Sequence, residues 1–215
     1  MQIDIYADVV CPWCYIGERR LHQALAQRPD LRVERRWRPF QLQPGMPKQG
    51  LPRAEFAQRK FGGVANMNAA FAQVVAAGVQ DGVEFRFDHV ASAPNTVDAH
   101  RLIVWADGHG KQWELANALF AAYFTHWRNL NDADQLVDVA AQVGLPADQG
   151  HAFLVTDEGV AQVQASQREA DELGVHGVPF FVFNNQFAVS GAQPVQLFLR
   201  ALDMAAEQDA PEAMV

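Results

Sequence analysis

Hydrophobic and polar positions alternate in two short stretches near the start of the chain. Residues 2–8 place Ile3 and Ile5 on one face, and residues 31–38 repeat the same period of two, which is typical of a β-strand. Between them apolar positions recur at helical spacing, and Pro29 ends that segment, because proline cannot continue a helix. The pattern therefore predicts a β–α–β unit, with Arg28 near the end of its helix.

Helical composition fills the middle of the chain. Four prolines and two glycines between Pro39 and Pro52 predict a loop or linker. Beyond this loop, seven segments separated by Gly or Pro have helical composition: 53–61, 64–77, 95–107, 111–127, 132–142, 147–154 and 157–173. A short alternating piece at 83–87 is expected to be extended.

Strand-like composition returns near the C-terminus. Residues 180–183 form a continuous apolar run suited to a buried strand. Asn184-Asn185 is a candidate two-residue hairpin turn that leads into residues 186–190. A last helix is expected from Pro194, fading into an acidic tail.

This order of elements predicts an α/β fold. A β–α–β start and a β–β–α end around a helical block are the element order of a thioredoxin fold with a large α-helical insertion. We expect residues 1–45 and 174–215 to form a discontinuous thioredoxin-fold domain and residues 46–173 to form the inserted helical domain.

Composition and charge exclude several classes of protein. At 215 residues and 49% hydrophobic, the chain can bury a sizeable core without disulfide cross-links. A net charge of −8 disfavours nucleic acid as a partner, and no apolar run approaches the roughly 20 residues that span a bilayer. The first residues lack a basic segment followed by an apolar one, which favours a cytoplasmic location. The oligomeric state is left open.

The two cysteines carry the candidate chemistry. Cys11 and Cys14 are the only cysteines, whereas a secreted disulfide scaffold needs more, spread along the chain. Residues at i and i+3 of a helix share a face, and their Cα separation of roughly 5–5.5 Å suits an unstrained disulfide. At the helix N-terminus Cys11 is expected to be the attacking thiolate, with Cys14 as the resolving thiol one turn deeper. Pro12 and Trp13, between them, add no acidic charge.

Metal binding is the rival interpretation of the cysteine pair. A zinc site takes four ligands, but one Cys-x-x-Cys motif supplies two, and neither a second such motif nor a His-x-His spacing follows. We expect no metal site, although a ligand pair completed by a dimer partner stays open.

Several motifs together resemble the FrnE-type branch of the DsbA-like oxidoreductase family. They are ADVVCPWCYIG at 7–17, WRPF at 37–40, NT at 95–96, AHR at 99–101, GVHGVP at 174–179 and SGAQ at 190–193. The resemblance implies that Pro179 is a cis-proline facing the active site. It also implies that the Val178 backbone pairs with an extended substrate segment by strand addition, and that the helical block is the family's insertion.

The same superfamily includes 2-hydroxychromene-2-carboxylate isomerases and kappa-class glutathione transferases, in which a serine typically stands at the position of Cys11. The presence of both cysteines favours a thiol–disulfide oxidoreductase acting on a disulfide-containing protein or a small-molecule thiol. No cofactor is expected beyond the redox-active cysteine pair, with glutathione as a candidate co-substrate. Two alternatives stay open: a glutathione-dependent isomerase or transferase, and a redox-sensing chaperone or binding module.

Some polar and aromatic residues have two interpretations. Asp8, three residues before Cys11, is a candidate proton acceptor for Cys14, although the sequence favours a turn-capping carboxylate. Trp13 either lines the substrate entrance or packs over the helix start. Trp37 and Phe40 are expected in the core. His100 either approaches the active site from the insertion or is a satisfied structural histidine, and the sequence favours the second.

Overall fold

A mixed β-sheet carries the two ends of the chain. The structure is a computed structural model that describes residues 1–209. Within that range the strands are β1 (Gln2–Ala7), β2 (Glu34–Pro39), β3 (Leu51–Pro52), β4 (Ser92–Ala93), β5 (Phe180–Phe183) and β6 (Phe187–Ser190). The four longer strands lie in the order β2-β1-β5-β6. Strands β1 and β2 are parallel, and the other neighbouring pairs are antiparallel.

Helices cover this sheet and fill the middle of the chain. They are α1 (Pro12–Ala26), α2 (Arg53–Phe61), α3 (Val64–Gln80), α4 (Val97–Asp107), α5 (Gln112–Phe124), α6 (Ala133–Gln142), α7 (Ala147–Leu154), α8 (Val160–Glu172) and α9 (Val195–Asp209). The predicted fold class, an α/β thioredoxin fold with a helical insertion, is confirmed. The domain boundaries stay a prediction, and the expected acidic tail lies outside the described residues. No helix in the described part of the chain is long and apolar enough to cross a bilayer.

Strand β1 lies inside the sheet, between β2 and β5, and both of its faces are covered. Ile3 and Ile5 join the main hydrophobic core, together with Leu21 of α1. On the other face Tyr6 packs in a smaller cluster with Ala170 of α8. The strand is therefore buried almost throughout, although its sequence alternates as a half-buried strand does.

The C-terminal hairpin forms where the sequence predicts it. Asn184 and Asn185 connect β5 to β6 with φ values of 49° and 56°. A two-residue turn that follows the twist of its strands requires positive φ at both positions, and asparagine tolerates this conformation better than most residues. The predicted hairpin is confirmed, but its connection also includes Gln186, since Phe183 pairs with Phe187.

Two local expectations are wrong. Residues 83–86 form no strand and lead into a 3₁₀ turn at Phe87–His89, and the rings of Phe85 and Phe87 stack with their centroids 5.1 Å apart. The predicted loop contains β3, which pairs with β4 over two residues, too few to show a period. Arg28 lies near the end of α1, as expected, since the helix ends at Ala26, and it binds Asp203 of α9 at 2.7 Å.

Candidate active site

The two cysteines lie at the turn from β1 into α1. Cys11 is the N-cap residue with φ −90° and ψ 110°, and Pro12 is the first helical residue, where its missing N–H costs nothing. The Cys11 N–H donates to the Asp8 carbonyl at 2.9 Å, and the Cys14 N–H donates to the Cys11 carbonyl at 3.0 Å. Both cysteines are free, and their thiols lie 3.2 Å apart. A small torsional change therefore brings them to bonding distance.

The loop before β5 lies over the thiol of Cys11. The Cys11 thiol donates to the carbonyl oxygen of Val178, with 3.5 Å between sulfur and oxygen. The Val178–Pro179 peptide bond is cis. The fold thus brings together two segments that are 167 residues apart in the sequence.

Gly17 permits this close approach. It lies on α1, and a Cβ atom built on it would come within 2.9 Å of Cγ of Pro179 and 3.2 Å of Cζ of Phe181. Distances below 3.0 Å require movement, and a proline ring on a strand end has little freedom to move. The absence of a side chain at Gly17 therefore helps to set the position of Pro179 relative to α1.

Gly17→Ala is expected to destabilise the protein by about 1–2 kcal/mol. Alanine gains up to about 1 kcal/mol of helix propensity over glycine, but overpacking a closed contact costs about 1–3 kcal/mol. Urea unfolding measures the difference. The matched control is Gly150→Ala in α7, whose added Cβ would meet only Val137 at 3.4 Å, so its stability should be equal or higher. A Gly17→Ala protein as stable as the parent would contradict the steric argument.

Cys14 is held as a protonated thiol. Burial raises its pKa well above the ordinary value, and the hydrogen bond to Cys11 and the charge of Cys11 raise it further. The backbone N–H of Asp8 lowers this pKa, whereas the Asp8 carboxylate raises it. Because a raised pKa keeps a thiol protonated at neutral pH, Cys14 needs a proton acceptor before it can attack.

Asp8 is buried beside the cysteines. Its Oδ2 accepts a hydrogen bond from the Leu42 N–H at 2.8 Å, and its Oδ1 accepts from the Val10 N–H at 3.4 Å. The turn-capping geometry favoured by the sequence is therefore present. Asp8 also acts electrostatically on Cys14, so the structure brings both candidate roles to one carboxylate.

His100 lies beside Asp8, and its Nε2 has no hydrogen-bond partner among the described residues, so the favoured expectation of a satisfied structural histidine is wrong. His100 lies on α4, is 0% exposed and has its Nε2 3.4 Å from Oδ1 of Asp8. Trp37 is in the core, as expected, and its Nε1–H donates to Nδ1 of His100 at 3.2 Å. In the sequence His100 is part of the motif AHR at 99–101. Its contact with Asp8 spans 92 positions and follows from no local pattern.

A cavity of about 100 Å³ opens next to the cysteine turn. Asp8, Val10 and Pro12 line it from the side of β1 and α1. The helical block contributes an aromatic lining of Phe56, Phe61, Phe71, Phe87, Tyr123 and Phe124, with cationic side chains from Arg53 and Lys60. The cavity could hold an apolar group of a substrate next to the thiols, particularly one that carries an anion.

Trp13 and Phe40 lie in different environments. Trp13 is 38% exposed and projects from the start of α1, so it is available at the surface beside Cys11. Phe40 is buried in the smaller cluster with Tyr6. Within residues 1–209, no group of three or more His, Cys, Asp or Glu side chains is arranged to hold a metal ion.

Comparison with known proteins gives the family context. Residues 2–203 match the model of the DSBA-like thioredoxin domain. The uncharacterized protein YwbO of Bacillus subtilis (strain 168) is 28% identical over 203 residues, which cover 94% of this chain and 96% of that protein. Both matches extend over nearly the whole chain.

Solved structures share the fold. The probable DsbA oxidoreductase SCO1869 from Streptomyces coelicolor is 34% identical with a TM-score of 0.88, covering 100% of this chain and 94% of that one. A 2-hydroxychromene-2-carboxylate isomerase is 17% identical with a TM-score of 0.74, covering 97% and 98% of the two chains. At that identity the second likeness concerns the fold alone.

Proposed function

Because this chain belongs to the DSBA-like thioredoxin domain family, we propose that it is a thiol–disulfide oxidoreductase of the FrnE-type branch. The observation that carries the proposal is the pair of free thiols of Cys11 and Cys14, 3.2 Å apart at a helix start. In the proposed reaction the reacting groups of the protein are these two thiols, and no metal takes part.

The reaction proceeds in two exchange steps. The Cys11 thiolate attacks one sulfur of a substrate disulfide, forming a mixed disulfide and releasing the other sulfur as a thiolate. Cys14 then loses its proton and attacks the Cys11 sulfur, which forms the Cys11–Cys14 disulfide and releases the second substrate thiolate. Two electrons pass from the protein to the substrate, and a thiol reductant such as glutathione restores the pair. The same steps in reverse oxidise a dithiol, and the reduction potentials of the partners set the direction.

The substrate is a disulfide-containing protein or a small-molecule thiol compound. An extended segment would lie along the Val178 backbone, and an apolar group next to the reacting sulfur would enter the cavity lined by Phe56 and Tyr123. We assign this chemistry to the cytoplasm, because two cysteines three positions apart are not the spread disulfide scaffold that is typical of small secreted domains.

Trapping the first intermediate tests the proposal. Cys14→Ala leaves Cys11 able to attack and removes the resolving thiol, so a mixed disulfide on Cys11 should accumulate. The variant is expressed, alkylated in acid and analysed by intact-mass spectrometry and peptide mapping. We expect a reducible adduct on Cys11 in Cys14→Ala and none in the Cys11→Ser, Cys14→Ala double variant. A Cys14→Ala protein that carries no adduct after incubation with an insulin or glutathione disulfide would argue against the mechanism.

A glutathione-dependent isomerase or transferase is the second candidate. It is supported by the fold shared with the isomerase and by the aromatic cavity next to the cysteine turn. In that reaction Cys11 would orient a glutathione thiolate and Cys14 would be dispensable. Turnover of a hydroxychromene with glutathione that is unaffected by Cys14→Ala would favour it over disulfide exchange.

A further inference from the structure

His100 has a defined tautomer. Its Nδ1 accepts the indole N–H of Trp37 at 3.2 Å, and an indole nitrogen can only donate. Nδ1 is therefore unprotonated, and Nε2 carries the hydrogen of a neutral imidazole. The two aromatic residues come from α4 and β2, so the inserted helices and the sheet together orient this ring.

The Nε2 atom of His100 lies beside the carboxylate of Asp8. Nε2 lies 3.4 Å from Oδ1 of Asp8 but lacks good hydrogen-bond geometry, and among the described residues it has no other hydrogen-bond partner. A fully buried N–H without a partner is unfavourable. A small movement of Asp8 towards the ring would complete the hydrogen bond.

A neutral donor has a specific advantage at this position. A lysine or arginine beside Asp8 would hold the carboxylate ionised and oppose its protonation. A neutral imidazole N–H orients the carboxylate but leaves it able to accept a proton. Backbone N–H groups already reach both oxygens of Asp8, with Leu42 donating to Oδ2 at 2.8 Å and Val10 to Oδ1 at 3.4 Å.

We propose that His100 is a positioning residue for the second exchange step, and this role rests on the proposed oxidoreductase function. His100 holds the Asp8 carboxylate so that it accepts the proton of the Cys14 thiol. The Cys14 sulfur, now a thiolate, attacks the Cys11 sulfur of the mixed disulfide. The bond between Cys11 and the substrate sulfur breaks, the substrate thiolate leaves with the electron pair, and Asp8 passes its proton to that thiolate or to solvent. His100 touches no reacting atom and acts through Asp8.

Reduced protein reacting with one equivalent of 5,5′-dithiobis(2-nitrobenzoate) separates the two steps. Attack by Cys11 releases the first nitrothiobenzoate ion, and resolution by Cys14 releases the second, so stopped-flow absorbance gives a rate for each. General acid–base groups contribute about 10²- to 10⁴-fold to rates, and a residue that positions one accounts for part of this. We expect His100→Leu to slow the second release at least about tenfold and to leave the first within about twofold.

His100→Gln is the conservative variant, because its amide N–H can replace Nε2–H. In His100→Gln the rate of the second release should stay within about threefold of the parent rate, in contrast to the slowing expected in His100→Leu. The matched control is Phe120→Leu. It removes a buried ring whose centroid lies 5.9 Å from that of Trp37, and it leaves the contacts of Asp8 unchanged. The control should not change the ratio of the two rates.

The outcomes separate this role from the oxidoreductase proposal. An unchanged second release in His100→Leu, an equal slowing of both releases, or a His100→Gln protein as slow as His100→Leu would overturn the positioning role. If His100→Leu does not fold, Trp37→Phe decides, because loss of the indole N–H frees the tautomer. A slower second release then supports the role, and an unchanged one overturns it. A parent protein without a second release would refute the oxidoreductase function itself.

Discussion

Cys11→Ser is expected to lower the reduction of insulin disulfides by at least about 10³-fold. The reactive form of cysteine is the thiolate, and a serine hydroxyl at the same position does not ionise at neutral pH without a strong base beside it. No other described thiol can replace it, because Cys14 is buried and its pKa is raised. The measurement is the turbidity of precipitating insulin chains with dithiothreitol as reductant.

Cys14→Ser is the companion variant. It keeps the Cys11 thiolate and removes resolution, so insulin reduction should fall while alkylation of Cys11 by iodoacetamide continues. Both variants should unfold at the temperature of the parent, since the substitution of sulfur by oxygen is small. Full reductase activity in Cys11→Ser would show that the activity does not use this thiol and would refute the proposed mechanism.

Arg101→Met is expected to destabilise the protein by about 3–5 kcal/mol. The Arg101 side chain is 3% exposed and joins α4 to the segment between α7 and α8. Its guanidinium donates to Oδ1 of Asp98 at 2.6 Å and to the carbonyl oxygens of Glu158 at 2.6 Å, Thr156 at 2.6 Å and Phe153 at 3.1 Å. Methionine fills part of the volume and removes the donor from the carbonyl oxygens of Glu158 and Thr156, each at a cost of about 1–3 kcal/mol when it stays buried. The Phe153 carbonyl keeps the hydroxyl of Thr156 as a donor at 2.7 Å.

Urea unfolding followed by fluorescence measures this loss. The control is Arg59→Met on α2, where the arginine pairs with Glu55 at i and i+4 but is 62% exposed. An exposed pair of this kind contributes about 0.3–0.5 kcal/mol. If Arg101→Met cost as little as Arg59→Met, the buried hydrogen bonds of Arg101 would not be what joins these helices.

The cysteine turn and the outline of the fold were predictable from local patterns. Alternation in residues 2–8, helical spacing after Cys11 and the apolar run at 180–183 each span fewer than about 20 positions. A hairpin at Asn184-Asn185 depends on the backbone preferences of two residues. Such features are encoded by neighbours along the chain, since side-chain period and turn chemistry act over one or two turns. The β–α–β and β–β–α ends, and the position of Cys11 at a helix start, follow from them.

Local patterns were insufficient where pairing or packing decided the structure. The alternation at 83–87 leads into a 3₁₀ turn, and Phe85 and Phe87 stack in an aromatic cluster. Strands β3 and β4 are too short to show a period, and they form only because Leu51 meets Ala93 in the folded chain. A period of two indicates which side chains share a face. Whether the segment pairs with a neighbouring strand depends on what lies beside it in the folded protein.

The cysteine pair, its spacing and its strand-to-helix turn were determined by the sequence alone. Only the tertiary structure decided that Asp8, His100 and Trp37 meet next to the cysteine turn. They come from a turn, a helix of the insertion and a strand, and the contacts between them span 63 and 92 positions. The physical reason is that a hydrogen bond between buried polar side chains depends on how whole elements pack. A lone histidine on a helix has the same local sequence signature whether it faces a carboxylate or an apolar wall.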